Sequence, residues 1–358
     1  MTKLSVNNNG IDLTPYLECL EDMIDPDQED KLFKEWKSYA DGLNKDAPFQ
    51  PTLRKPCPHK LEWPKIYIND AYEDETLMIL SQFGMIAEEL RRGSQHMLTV
   101  RSNYGVGIIP SMFGAEIFLM ERQKNFPSNS RTISPEGIKR IMESDFPKMT
   151  DGLGAKIFSV GGKFIEIMKK YPKIGKYIRM DHPDFQGPFD LAELMYGSGI
   201  FIDMYDNSEM IHALLRKLTD FYIHIMDRWL SLFPNNDEYH IYFGSLHKGT
   251  LCIRCDSSMN ISPDFYGEFV FPYDQEILNR FNGGAFHFCG KGDHYISKLS
   301  EMKQMYAVDC TQAHYNDMNL IFKNTIDKGI NLFAYNGDYI NSLQEFKHNY
   351  SRLLIKKN

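Results

Sequence analysis

The chain has 358 residues, 42% of them hydrophobic, enough to bury a sizeable core as one large α/β domain, which is the simpler expectation, or as two smaller ones. A formal net charge of -8 and an isoelectric point near 5.8 argue against a nucleic-acid ligand, because phosphate backbones are held mainly by clustered Lys and Arg. No run reaches the roughly 18 apolar residues of a membrane span, and the opening MTKLSVNNNG has no signal-peptide core, so a soluble, cytoplasmic protein is expected; six cysteines are too sparse for a disulfide scaffold and read as reduced thiols.

Residues 1–60 read as a helical appendage. In DPDQEDKLFKEWKSYADG, Asp25 or Asp27 is a candidate N-cap, with Leu32, Phe33 and Trp36 following at helical spacing. A proline-rich connector, APFQPTLRKPCPH, leads into residues 61–358, where short β-rich runs alternate with longer amphipathic segments as in βα units. The predicted strands are HMLTVRSNY, YIRMDHPDF, EYHIYFGSL, TLCIRCD, AFHFCG, YAVDCTQ, INLFAYNG and RLLIKK. A long helix is expected over NSEMIHALLRKLTDFYIHIMDRWLSLF, with Ile211, Leu214, Leu215 and Leu218 starting its apolar stripe. The last four strands recur about every 20 residues, the spacing of one βα unit, which favours a (β/α)8 TIM-type barrel whose chemistry gathers at the C-terminal strand ends.

The polar strand ends carry the candidate site. Side chains alternate along a strand, so His287 and Cys289 share one face while Phe286 and Phe288 take the other. Imidazole and thiolate are both zinc ligands, and that spacing lets them share an ion; a core histidine beside an inert thiol is the plainer reading. Cys252 and Cys255 fall on opposite faces, which disfavours them as a pair, whereas Arg254 and Asp256 share a face at the strand end and suit carboxylate binding or proton transfer. RMDHPDFQGPFD supplies Asp184 and Gln186, and RSNYGVGIIPSMFGAE supplies Asn103, Tyr104 and Glu116, as residues for binding substrate or metal. Neither a dinucleotide fingerprint, nor a phosphate-binding P-loop, nor a G-x-S-x-G nucleophile elbow occurs. His59, His96, His212, His224 and His240 stand alone in connectors or on helix faces and read as surface or core residues.

DSSMNISPDFYGEFVFPYDQEIL followed by HFCG resembles the uroporphyrinogen decarboxylase superfamily, in which an acidic strand end, an SP-x-x-[FY]-x-x-F-x-x-P helix start and an H-x-C-G strand come in this order. The resemblance extends back through QGPFDLAELMYG and DMYDNSEMIHALL to about residue 95, and it implies a (β/α)8 barrel with its cleft at the C-terminal mouth. Uroporphyrinogen decarboxylase proper holds its many carboxylates with an arginine-bearing RQAGRY-type loop; VRSNYGVG supplies only Arg101. The other branch holds zinc-dependent, corrinoid-linked methyltransferases, whose H-x-C-G ligands match His287 and Cys289. Their further cysteine on the last strand has no counterpart in RLLIKKN, so a third ligand must come from Glu116, Cys252, Asp309 or Cys310, of which Glu116 is taken with His287 and Cys289.

On this resemblance the expected activity is methyl transfer from a corrinoid partner protein to a metal-activated thiol or other small acceptor, with Asp256 and Arg254 positioning the acceptor. A cofactor-free decarboxylase with His287 as proton donor is the alternative, and a non-catalytic barrel binding a tetrapyrrole or a partner is another. A homodimer is compatible with the resemblance; neither nucleic acid nor membrane is expected as a partner.

Overall fold

A computed structural model describes residues 10–44, 47–58, 60–234, 238–334 and 348–355; His59 and part of the opening segment lie outside them. Among the described residues the strands are β1 (Thr99–Val100), β2 (Ile117–Phe118), β3 (Asn129–Ser130), β4 (Arg179–Met180), β5 (Tyr239–Tyr242), β6 (Ser245–Lys248), β7 (Leu251–Arg254), β8 (Gly284–Phe288), β9 (Met305–Cys310), β10 (Asn331–Ala334) and β11 (Leu353–Ile355). Strands β7 to β11 form one parallel sheet in chain order, the arrangement that βα connections impose. A parallel pair joins β1 to β4, and β2–β3 and β5–β6 are antiparallel. The molecule is thus a mixed α/β protein with a parallel sheet and N-terminal helices.

EYHIYFGSL, predicted as a single strand, is instead a hairpin. Phe243 and Gly244 both adopt left-handed φ values, 42° and 72°, the pattern of a tight two-residue turn. The long helix runs Ser208–Leu232, and its predicted stripe is buried throughout.

Both faces of the sheet are covered. Leu251, Ile253, Phe286, Phe288, Val308, Leu332 and Leu353 pack into the larger core cluster with the helices. Alternate residues Cys252, Ala285, Ala307, Phe333 and Leu354 turn the other way, into a cluster with Trp36, Tyr39, Tyr239 and Leu246. Helix α1 (Thr14–Met23) and helix α2 (Pro26–Ala40) begin the described chain. Asp25 caps α2 by accepting the Asp27 and Gln28 N–H groups. The helix is tied to the sheet: Tyr39 donates to the Leu332 and Arg352 carbonyls, and buried Glu29 takes both Nε and Nη2 of Arg54 at 2.6 and 2.7 Å. Residue 49 extends the sheet edge as a parallel bridge to Leu354. No helix among the described residues is long and apolar enough to cross a membrane.

Candidate active site and metal centre

Strand register assembles the site. In the parallel ladder Arg254 lies opposite His287, and His287 opposite Asp309, so three ionisable side chains fall in one layer at the C-terminal ends of β7, β8 and β9. Two residues further along, Asp256 and Cys289 form the next layer. Parallel sheets bind ligands at such carboxyl ends, where loops diverge and side chains are free of ladder packing.

His287 is the centre of the arrangement. Its Nδ1 meets Asp309 Oδ2 at 2.8 Å, and its Nε2 lies 3.4 Å from Cys289 Sγ and 3.6 Å from Asp256 Oδ1. Asp309 is 1% exposed. A buried carboxylate on Nδ1 fixes the proton there and aims Nε2 outward, as the outer partner of a metal-binding histidine does. Burial alone would lower the His287 pKa, but the hydrogen bonds to Asp309 and Cys289 and the charges of Asp309 and Asp256 raise it to about 10. Tyr242 packs its ring 5.1 Å from the imidazole and thereby closes the inner side.

The donor atoms of Asp256, His287 and Cys289 all lie within 4.8 Å of one another. With zinc–ligand bonds of about 2.0–2.3 Å at tetrahedral angles, nitrogen and sulfur should be ~3.6 Å apart, and nitrogen and oxygen ~3.4 Å. The observed 3.4 and 3.6 Å are close to those edges. An N, S, O set containing a thiol suits zinc and disfavours calcium or magnesium, which prefer oxygen alone. These three residues could therefore hold zinc and leave a fourth position open. Beside them is a cavity of about 410 Å³ lined by Asp256, Met259, Cys289, Lys291, Gln312 and Tyr315.

Asp256 is held from behind. Its Oδ1 accepts the Cys289 N–H at 2.7 Å, while buried Asp190 accepts the backbone N–H groups of Asp256 at 3.1 Å and Ser257 at 2.7 Å. Burial and the Asp256 charge push Asp190 up to about 6, against the pull of those N–H bonds. Asp190 is not among the residues singled out from RMDHPDFQGPFD; an acid two residues after Pro188, in the first turn of a helix, is the available signal.

Arg254 lies beneath the site, 2% exposed. It faces Asp184 at 3.3 Å and Asp181 at 3.6 Å and stacks on the Tyr242 ring. Its charge is thus taken up inside the protein. A second trio, Asp181, His182 and His240, also converges but is fully buried. His240 already bonds Asp181 at 2.9 Å, His182 Nε2 accepts the Cys252 N–H, and Arg254 already supplies the cation, so nothing there calls for a metal.

The remaining predicted residues are dispersed. Gln186 is buried and bonds Asp184, which also faces Arg101 at 3.7 Å. Tyr104 turns into the core against Tyr72, and Asn103 keeps a buried oxygen without a hydrogen-bond partner. Glu116 is not brought to His287 and Cys289: it sits beside the β2–β3 hairpin, 75% exposed, 3.7 Å from Arg131, and the nearby carboxylate is that of Asp256 instead. Cys252 and Cys310 are buried in separate core clusters, and Asp309 stands behind the imidazole. The chain matches no known family model and no curated protein.

Proposed function

We propose that the chain is a uroporphyrinogen decarboxylase-like (β/α)8 barrel enzyme, a methyltransferase that works with a corrinoid carrier and holds zinc on Asp256, His287 and Cys289. Support for the barrel comes from the chain-order parallel sheet and from two links beyond it: Gly187 N–H to the Arg254 carbonyl, and Arg179 N–H to the Leu98 carbonyl. The observation that carries the activity is the convergence of imidazole, thiol and carboxylate at ligand-edge distances, with Asp309 behind the imidazole.

When bound, zinc would act as a Lewis acid that lowers the pKa of an acceptor thiol. The chain's own residues supply the rest. Asp309 orients Nε2 of His287; Asp256 braces the Cys289 backbone; Met259 and Tyr315, both partly exposed, give the cavity apolar surface. Lys291, at the rim and 3.8 Å from Asp293, brings an exposed ammonium to the mouth of the cavity. Arg254, neutralised by Asp181 and Asp184, stiffens the floor of the site rather than binding substrate.

A decarboxylase is the second reading. It is favoured by the raised pKa of His287, which would keep a proton at Nε2 beside the cavity. Metal analysis of protein purified without a histidine tag separates the two. About one zinc per chain, lost in Cys289→Ala and His287→Ala, supports the transferase; protein that stays metal-free after incubation with zinc at neutral pH rules it out and leaves the decarboxylase.

A further inference from the structure

Asp256 belongs to no strand. β7 stops at Arg254, and the chain turns directly into a short 3-10 helix over Ser257–Asn260. Something outside this segment must hold it, because a half-exposed carboxylate at a turn would otherwise sample several rotamers.

The holding group is Asp190, in the first turn of the helix Pro188–Tyr196. It is 4% exposed, and its two oxygens divide the work: Oδ2 accepts the N–H of Asp256 and Oδ1 that of Ser257. The start of the same helix is fastened to the end of β7, since Gly187 N–H donates to the Arg254 carbonyl at 2.7 Å. A Cβ at Gly187 would come within 3.0 Å of that carbonyl oxygen, so the approach is close. Behind Asp190 lies Asp274, a second carboxyl group 1% exposed. With the backbone at 256–257 fixed, the Asp256 side chain reaches the Cys289 N–H and stands 3.6 Å from His287 Nε2.

We propose that Asp190 is a positioning residue, which sets the reach of Asp256 toward Cys289 and His287 by holding the 256–257 turn. The inference rests on Asp256 belonging to the site, and it makes a prediction that needs no metal. Asp190 hydrogen-bonds neither Cys289 nor His287, so its influence on the Cys289 amide passes through the 256–257 turn and the Asp256 side chain. An acid that merely stabilised the loop would, on removal, free the amides of residues 256 and 257 and lower the melting temperature, with no change at Cys289.

The test is residue-resolved amide hydrogen exchange on the metal-free protein, comparing wild type with Asp190→Ala, Asp190→Asn and, as a reference, Asp256→Ala. Exchange at the Cys289 amide is expected to rise about tenfold in Asp190→Ala and in Asp256→Ala, the loss of one charge-assisted hydrogen bond. In Asp190→Asn, which keeps one acceptor oxygen, the expected rise is about threefold, and this variant decides the matter if the alanine variant does not fold. Zinc affinity should fall about tenfold in Asp190→Ala, as for other groups that orient ligands from outside. Cys289 exchange at the wild-type rate in folded Asp190 variants overturns the proposal, whatever happens at residues 256 and 257. A wild type that binds no zinc would instead remove the metal reading, with the exchange result still deciding the role of Asp190.

Discussion

Replacing Asp309 by Asn tests the centre of the site, since it keeps the side chain's shape and removes its charge. His287 is raised from an ordinary 6.5 to about 10, and at ~1.36 kcal/mol per pH unit that net rise, left after burial has opposed it, corresponds to roughly 5 kcal/mol. Cys289 and Asp256 raise it alongside Asp309, and a single hydrogen bond to a charged group contributes about 1.5–3 kcal/mol, so Asp309→Asn should cost the metal-free protein about 2–3 kcal/mol at pH 6. Because the folded pKa is raised, the stabilisation is complete below pH 6.5 and fades as pH climbs toward 10, where the folded imidazole also loses its proton. Urea unfolding of both proteins, with chelator present, from pH 5.5 to 11 measures the gap. It should be widest at the acid end and close by the alkaline end, and taking the difference cancels the titrating groups that do not interact with residue 309. A gap of constant size across the whole range, or none at all, refutes the argument that Asp309 holds a proton on His287.

Two further substitutions probe the surroundings. Arg254→Met strands Asp181 and Asp184 without their shared cation and should cost about 3–5 kcal/mol in urea unfolding, with little rescue by Lys, whose single ammonium cannot span both carboxylates; wild-type stability in the Met variant would show that the cation is not needed. Gly290 has φ 78°, and a Cβ there would lie 2.7 Å from Met259 Sδ, so Gly290→Ala should cost about 1–2 kcal/mol from the left-handed backbone while the flexible methionine gives way; an unchanged melting temperature would count against that strain.

The candidate site was partly legible. The alternation of AFHFCG was enough to set His287 and Cys289 on one face, because side-chain period along a strand is a local property. The third donor was not so accessible. Glu116 is an isolated acid near a glycine, and nothing local says whether a hairpin carries it away from the strand ends, as β2–β3 does. Asp256 was read as an acceptor-positioning acid, and only the turn after β7 aims its carboxylate at Cys289. Arg254, expected to meet substrate, lies between two aspartates from the segment that follows β4, a pairing between residues about 70 positions apart. EYHIYFGSL misled because aromatic and hydrophobic content signals a strand whether or not a glycine reverses it midway.

The helix start at Asp25 or Asp27, the long amphipathic helix and the side-chain alternation of AFHFCG follow from spacing within a few residues, where backbone sterics and hydrophobic period act directly. Which side chains meet does not. The layer of Arg254, His287 and Asp309 exists because three strands adopt one register, and a slip of a single residue would send each to the opposite face. That register is held by ladder hydrogen bonds and by packing on both sheet faces, interactions between segments some 20 to 300 residues apart whose balance no short stretch of the chain contains.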